Sequence, residues 1–326
     1  MPYFDLPFDD MQRYKPASPE QPDFDSFWAR TRAEARSYPL DFTVTPVDMG
    51  IVTADVFDAE FSGYGGQRIK GWFMLPKQRS EPLPCVVEYI GYGGGRSLPY
   101  AWLKWVSAGF AYLVMDTRGQ GSTWASGDTP DLPDGANPFF PGFTTQGILS
   151  PETYYYRRLY TDAVRALEAV ASHPAVDRTR IAATGGSQGG AITLAASGLA
   201  PELVSASLPD VPFLCEIHRA ITLIGGVYDE IVKYLSIHRQ SEAQALKTLS
   251  YFDGVSFASR IRAASYFSTS LMDMICPPSC VYAAYNHIPD GVEKEIHVYK
   301  YNGHEGGGDL HTMKKILWLR DKWMQA

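Results

Sequence analysis

An apolar run, a glycine-rich turn that carries a serine, and a helix-prone segment follow one another in the middle of the chain. The stretch reads Arg180-Ile181-Ala182-Ala183-Thr184-Gly185-Gly186-Ser187-Gln188-Gly189-Gly190-Ala191-Ile192. This order predicts a buried strand, a sharp turn with Ser187 at its apex, and a helix. Glycine is needed at positions 185 and 189 because strand and helix cross so closely that a Cβ would clash. Such a turn lifts the serine hydroxyl out of the fold and directs the backbone N–H of Gln188 toward it.

A strand, a turn and a helix with a serine at the apex form the nucleophile elbow of the α/β-hydrolase fold. A Gly-x-Ser-x-Gly string alone is weak evidence in a chain with 29 glycines, but here the flanking segments agree with the motif. Further segments at 85–90, 111–115, 266–270 and 295–301 are predicted to be strands separated by helices. Strands that alternate with helices predict a mainly parallel central sheet flanked by helices.

We therefore expect a single α/β-hydrolase domain over residues 1–326, with two additions. Residues 1 to about 40 form an N-terminal helical extension with a helix over 19–37, and about 209–260 form a helical insertion. The insertion and the Gly/Pro-rich segment 121–154 are predicted to overhang the active site, as substrate walls or subunit contacts. Two runs at 54–61 and 68–75 predict a hairpin before the parallel strands. The last helix is expected to turn four apolar residues inward: Met313, Ile316, Leu317 and Leu319.

Composition excludes several classes of function. A formal net charge of −7 without a basic run argues against a nucleic-acid surface. The N-terminus lacks the pattern of a signal peptide, and no apolar run approaches membrane-spanning length, so we expect a cytoplasmic protein that does not bind a membrane. Four scattered cysteines suit a reducing compartment. Cys276 and Cys280 have no second ligand pair at a suitable spacing, so no metal and no cofactor is expected.

A serine hydroxyl needs a base to accept its proton and an acid to orient that base, in the chain order serine, acid, histidine. His304 is the best-placed base, because it lies in a glycine-rich loop between the last strand and the last helix. His297 lies inside a strand pattern, His311 inside the last helix, and His287 after a helix-like segment.

Asp273 is the predicted acid, because it follows the predicted strand 266–272 and can reach back to the base. Asp290 and Asp309 compete for this role. The first lies in a Pro-Asp-Gly turn and the second has the position of a helix N-cap, so structure already accounts for both.

The oxyanion of the reaction needs donors that are in place before it forms. The Gln188 N–H is one, and the Tyr92 N–H in the glycine-rich loop 91–95 is the second candidate. Arg118, which follows another core strand, either orients a substrate or pairs with a buried acid such as Asp116 or Glu305. Glu305 itself either takes part in catalysis or holds the histidine loop.

Four short motifs together resemble carbohydrate esterase family 7, the acetyl xylan esterases and cephalosporin-C deacetylases. They are Arg118-Gly119-Gln120, Gly185-Gly186-Ser187-Gln188-Gly189, Leu271-Met272-Asp273 followed by Cys276-Pro277-Pro278-Ser279, and His304-Glu305. The resemblance runs nearly end to end. It implies deacetylation of small acetyl esters of sugars and cephalosporins, a homo-hexamer, Ser187, Asp273 and His304 as the triad, and Tyr92 and Gln188 as the oxyanion hole. Ser270 departs from the glycine that the family favours before Leu-Met-Asp.

A small acyl group predicts a tight acyl pocket, for which Tyr92, Phe213 and Ile275 are the candidate substrate-binding walls. Two other functions fit the elbow. A prolyl-oligopeptidase-like peptidase shares the Gly-x-Ser-x-Gly-Gly turn, although this chain has no room for the propeller domain that such enzymes usually carry. A non-catalytic binding protein on a hydrolase fold would require a lost triad member, and each member has a candidate here.

Overall fold

The structure of the protein is a computed structural model that describes residues 3–79, 82–131 and 141–324. Residues 132–140 of the predicted 121–154 insertion therefore lie outside the described residues. The strands are β1 (Thr43–Pro46), β2 (Ala54–Ser62), β3 (Arg68–Pro76), β4 (Leu83–Tyr89), β5 (Ala111–Met115), β6 (Val176–Gly186), β7 (Ala206–Asp210), β8 (Ala264–Ser270) and β9 (Lys294–Tyr299).

Helices cover both faces and the carboxyl edge of the sheet. They are α1 (Phe8–Met11), α2 (Phe24–Arg36), α3 (Leu103–Ser107), α4 (Tyr155–Ser172), α5 (Gln188–Leu199), α6 (Ile217–Leu223), α7 (Asp229–Ile237), α8 (Glu242–Ser250), α9 (Gly254–Ala258), α10 (Pro278–His287) and α11 (Gly308–Trp323). Short 3₁₀ helices lie at Tyr64–Gly66, Pro99–Trp102, Gly226–Tyr228 and Arg239–Ser241. In the described part of the chain, every helix is too short or too polar to span a bilayer.

The described strands form one sheet in the order β1-β2-β3-β5-β4-β6-β7-β8-β9. The first three strands are antiparallel, and β3 is also antiparallel to β5. All pairs from β5 onward are parallel. This confirms the α/β-hydrolase fold with a mainly parallel central sheet, and the hairpin at its start. The elbow strand β6 lies near the middle, so its carboxyl end is flanked on both sides.

Two strands, β1 and β7, are not among those that the sequence predicts. Strand β1 is short and largely exposed at the edge of the sheet. Strand β7 is Ala206-Ser207-Leu208-Pro209-Asp210, in which serine and proline weaken the strand pattern. It is a strand because β6 and β8 hydrogen-bond to it from both sides. The predicted 209–260 insertion therefore overlaps the end of a core strand, and its helices begin with α6.

The core lies on both faces of the sheet. One cluster joins the sheet to α2, α4, α5, α9 and α10, and its aromatic part packs Phe27 and Trp28 of the N-terminal extension against Phe252. The other cluster joins the opposite face to α3 and α11 through Trp105 and Leu319. Burial of this apolar area provides the main stabilisation of the fold.

Helix α11 is less buried than its sequence predicts. Leu319 is fully buried and Ile316 packs on the second cluster, as expected. Met313 and Leu317 are instead 49% and 55% exposed, so that part of the expectation is wrong. The buried positions are taken by His311 and Lys315, which reach the partly buried Asp210 at the end of β7. Polar side chains therefore occupy part of the inward face that the apolar pattern predicts.

Candidate active site

Ser187 stands between β6 and α5 with φ 57° and ψ −119°, a left-handed conformation that non-glycine residues rarely adopt. A Cβ at Gly185 would lie 2.5 Å from the Tyr89 carbonyl oxygen, and one at Gly189 would lie 2.2 Å from the same atom. The two glycines are thus required by close backbone approach, as expected. The Ser187 N–H donates to the Asp210 carbonyl at 3.0 Å, which fixes the turn against β7.

The predicted acid and base are in contact. His304 Nδ1 lies 3.0 Å from Asp273 Oδ2 and 3.1 Å from Oδ1. The Asp273 carboxylate is fully buried, and its Oδ1 also accepts the backbone N–H groups of Ile275 at 2.8 Å and Cys276 at 3.0 Å. These bonds fix the carboxylate after β8. With Nδ1 bound to Asp273, Nε2 is the ring nitrogen that remains for Ser187, and both residues line one cavity.

The competing groups have other contacts. His297 Nε2 lies 2.8 Å from Glu295, and His287 Nδ1 lies 2.7 Å from the Ala283 carbonyl oxygen. Asp290 is exposed in a turn between α10 and β9. Asp309 lies in the first turn of α11, whose N-cap is Gly307, so the expected capping position of Asp309 is wrong. Glu305 accepts a hydrogen bond from Asn302 at 2.6 Å, which favours its role in holding the histidine loop.

The predicted oxyanion loop is held by a buried glutamine pair. Gln120 Oε1 accepts the Gly93 N–H at 2.7 Å, and Gln120 Nε2 donates to Gln188 Oε1 at 2.8 Å. The Tyr92 carbonyl accepts the Trp124 indole N–H at 2.9 Å. The Gln188 N–H belongs to the first turn of α5, where backbone donors have no intrahelical partner. Gln120 thus couples the Tyr92 loop to the elbow, a role that its place in a short motif did not reveal.

Arg118 is buried and pairs with acids that sequence analysis did not identify. Its guanidinium contacts Asp162 Oδ1 at 2.7 Å and Asp131 Oδ1 at 3.2 Å. The expected pairing with a buried acid is therefore found, but Asp116 and Glu305 were the wrong partners. Asp116 instead accepts backbone N–H groups, including that of Arg96 at 2.8 Å. Arg118 joins β5 to α4 and holds the loop that carries Gln120.

One cavity of about 780 Å³ opens over the elbow and contains Ser187, His304, Tyr92 and Ile275 in its lining. The Tyr92 hydroxyl donates to Glu230 at 2.8 Å and accepts the Phe143 N–H at 2.9 Å, so the ring is held in place. The third predicted wall residue, Phe213, is not in the cavity lining: it is only 1% exposed, and its ring lies 4.4 Å from that of Tyr228.

Among the described residues, one group has the donor set of a metal site: Asp273, Cys276 and His304, whose ligand atoms lie within 4.8 Å of one another. Two of these three donors already bind each other. Burial raises the pKa of the Cys276 thiol well above its usual value, which disfavours the thiolate that a metal binds. The geometry therefore suits an acid and base pair better than a metal site.

Asp210 is a residue of this site that sequence analysis missed. It ends β7 beside Ser187, and its carboxylate contacts Lys315 and lies 3.1 Å from His311 Nε2. Burial alone would raise the pKa of Asp210, but Lys315 and His311 outweigh burial and lower the pKa to about 2. Lys315 also donates to Thr184 at 3.0 Å. These contacts fix α11, which follows the His304 loop, against the elbow strand.

The fold and this site together define a serine esterase of the α/β-hydrolase class. Comparison with known protein families supports this class, since the sequence model of the family described as acetyl xylan esterase (AXE1) matches residues 1–322. The chain belongs to the acetyl xylan esterase family, carbohydrate esterase family 7.

Relatives of known name and structure support this assignment. The acetyl xylan esterase from Paenibacillus sp. R4 superposes with a TM-score of 0.88 at 39% identity, over 97% of this chain and 99% of that one. Acetyl xylan esterase 1 from Thermoanaerobacterium sp. gives a TM-score of 0.84 at 31% identity with the same coverage. Acetyl esterase Axe7A of Xylanibacter ruminicola is 27% identical over 94% of this chain and 68% of its own length.

Proposed function

We propose that this protein is a serine carboxylesterase that deacetylates small acetyl esters, such as acetylated xylo-oligosaccharides and cephalosporin C, through an acetyl-enzyme intermediate. The observation that carries the proposal is the contact of His304 Nδ1 with the buried Asp273 carboxylate, beside the cavity that also contains Ser187. The relatives named above are acetyl and acetyl xylan esterases, which supports the acetyl group as the part that is removed.

In the proposed reaction, Ser187 Oγ attacks the acetyl carbonyl while His304 Nε2 takes its proton. The oxyanion of the tetrahedral intermediate accepts hydrogen bonds from the N–H groups of Tyr92 and Gln188. The intermediate collapses as the protonated His304 returns its proton to the alcohol oxygen, and the C–O bond breaks. Water then repeats the sequence on the acetyl-enzyme, and acetate leaves with Ser187 restored. Asp273 holds the imidazole in one tautomer throughout.

The proposed acyl pocket lies between Tyr92 and Ile275, which both line the cavity. Phe213 is buried beside the elbow instead, where its N–H donates to the Ser187 carbonyl at 3.0 Å. A rigid wall is expected to favour acetyl over longer acyl groups. The insertions on either side, within 121–154 and 209–260, contribute Trp124, Val227 and Glu230 to the cavity lining, which supports their role as substrate walls in one domain.

The proposed setting is a cytoplasmic homo-hexamer without a metal or cofactor. Four buried free cysteines support a reducing compartment. The exposed residues Leu310, Met313 and Leu317 form an apolar stripe on α11, which supports a subunit contact there.

Replacing Ser187 tests the nucleophile. Ser187→Ala is expected to lower kcat on 4-nitrophenyl acetate by about four to six orders of magnitude, because the hydroxyl forms the covalent intermediate. Spectrophotometric assays give the rate, and circular dichroism checks the fold. Ser236→Ala, at an exposed position of α7, is the serine control. Substantial activity in Ser187→Ala would refute the assignment.

Two further measurements test the alternative functions. Cleavage of peptide anilides in preference to acetyl esters would favour a peptidase. Failure of an organophosphonate to label Ser187 would favour a binding protein.

A further inference from the structure

The cavity is much larger than an acetyl group requires. Its volume of about 780 Å³ extends from Ser187 to a second wall that includes Glu88, Trp102, Lys104, Asp309 and Thr312. These residues lie on β4, α3, α11 and the 3₁₀ helix before α3. These residues have no role in the proposed acyl pocket. Most of the cavity is therefore available to the alcohol part of the ester.

The chemistry of the proposed reaction decides where that alcohol lies. His304 must return a proton to the alcohol oxygen, so the alcohol occupies the side of the cavity next to His304. The carbonyl oxygen points instead toward the Tyr92 and Gln188 amides. The cavity lining continues from His304 through Glu305 and Gly306 to Asp309 and Thr312 at the start of α11. The second wall is thus the one that the alcohol meets.

A fixed ammonium group lies in this wall. Lys104 Nζ donates to Glu88 Oε1 at 2.9 Å, and Glu88 also accepts hydrogen bonds from Trp105 at 3.1 Å and from Tyr112. Three donors therefore hold the largely buried Glu88, which in turn holds Lys104. The Lys104 side chain remains 39% exposed. An ammonium has three N–H donors, and a single one is used among the described residues, so donors remain for a ligand.

We propose that the wall formed by Lys104, Asp309 and Thr312 is the binding site for the alcohol part of the ester, and that its charges make the enzyme prefer neutral over anionic alcohols. This inference rests on the proposed deacetylase function. Lys104 donates to the hydroxyl oxygens of the alcohol, and the exposed Asp309 carboxylate accepts from its hydroxyl groups. Trp124 is 58% exposed at the rim and adds an aromatic face. Ligand sites commonly combine aromatic side chains with a few well-placed polar groups.

Charge makes the site selective among alcohols. Lys104 balances Glu88, and Lys315 balances Asp210, so three carboxylates of the lining remain: Glu230, Glu305 and Asp309. An alcohol with net negative charge, such as the cephalosporin nucleus with its carboxylates, is repelled by them. Neutral sugar esters are therefore the better substrates.

The first test compares two acetyl esters. The ratio of kcat/KM on an acetylated methyl xyloside to that on 4-nitrophenyl acetate should fall about tenfold in Lys104→Met, mainly through KM, because only the xyloside offers hydroxyls to the ammonium. Lys104→Arg should recover most of the ratio. Lys322→Met is the control. Lys322 lies on α11 and pairs with Glu293 outside that helix, and its loss should leave the ratio unchanged.

The second test separates hydrogen bonding from charge. Asp309→Asn should lower kcat/KM on the acetylated xyloside and raise it on cephalosporin C, each by about two- to threefold, since an exposed charge acts weakly. Changes of opposite sign would not arise from a loss of stability.

Two results would overturn the inference. One is an unchanged ratio in Lys104→Met, and the other is an equal change on both esters in Asp309→Asn. A wild-type protein that cleaves none of the acetyl esters would overturn the proposed function and this inference with it. An active wild-type enzyme whose variants keep its ratio would overturn the inference alone.

Discussion

At the scale of single residues, the strained serine is held by its neighbours rather than by its own preference. The Ser187 N–H donates to Asp210, and its carbonyl accepts the N–H groups of Ala191 and Phe213, each at 3.0 Å. A left-handed serine costs about 1–3 kcal/mol, which such surrounding bonds must offset. The strain is therefore a property of the packed elbow, and it keeps the hydroxyl at the apex in the absence of substrate.

Glu216 is a second residue with an unfavourable environment, because its surroundings disfavour the charged form of its carboxyl group. It has φ 45° before α6, and its Oε1 accepts the Tyr14 hydroxyl at 2.6 Å. Its buried Oε2 has no hydrogen-bond partner among the described residues. Burial raises the pKa of Glu216 to about 7, although Tyr14 and Arg219 oppose the rise, while Asp253 and Asp5 add to it. An uncharged residue would suit the position better near neutral pH.

The raised pKa gives the sign of a pH effect. The unfolded carboxyl loses its proton near 4.5 and the folded one near 7, so the folded state binds the proton more tightly. Stability from this group is complete below about pH 4.5 and is lost as pH rises through 7. Glu216→Gln should therefore raise the free energy of unfolding by about 1–2 kcal/mol at pH 8 and change it little at pH 4.5.

Urea unfolding at the two pH values measures this difference, with the exposed Glu293→Gln as the control. An equal effect of Glu216→Gln at both pH values would contradict the prediction.

At the scale of elements, α11 joins the base to the nucleophile. The helix begins four residues after His304, and its Lys315 contacts Asp210 of β7 and Thr184 of β6. Lys315→Met should lower the free energy of unfolding by about 2–4 kcal/mol, because the partly buried Asp210 carboxylate loses its nearest cation. Urea denaturation gives the value, and Lys314→Met, a neighbour on the same helix, is the control.

Adding Asp210→Asn to Lys315→Met should recover part of the lost stability, because the unpaired charge is then removed. No recovery in the double variant would show that the ion pair is not the cause.

Sequence patterns predicted the elements with a clear period and missed those that depend on neighbours. The elbow, β5 and the histidine loop follow from local residues, because glycine, serine and apolar runs specify them directly. The contact of Lys315 with Asp210 joins residues more than a hundred positions apart, so no local pattern contains it. The same holds for β7, which two flanking strands stabilise, and for the acids that bind Arg118.

At the scale of the whole molecule, the exposed stripe of α11 predicts association. Light scattering should give a mass about six times the chain mass of 36.2 kDa. Leu317→Lys should shift the enzyme toward smaller species, because a charge in an apolar subunit contact is costly. Val52→Lys, at an 84% exposed position elsewhere, is the control. A monomeric wild-type protein would refute the hexamer.

The strand order also has a consequence for how the chain reaches its active form. The elbow strand β6 pairs with β4 and β7, and β4 also pairs with β5, so the chain must make crossovers before the centre of the sheet closes. Contacts between distant segments form slowly during folding. Ser187, Asp273 and His304 follow three different strands, β6, β8 and β9. Esterase activity should therefore return only at the end of refolding, after the hydrophobic core has formed, and a nascent chain gains it only when its last helix has docked.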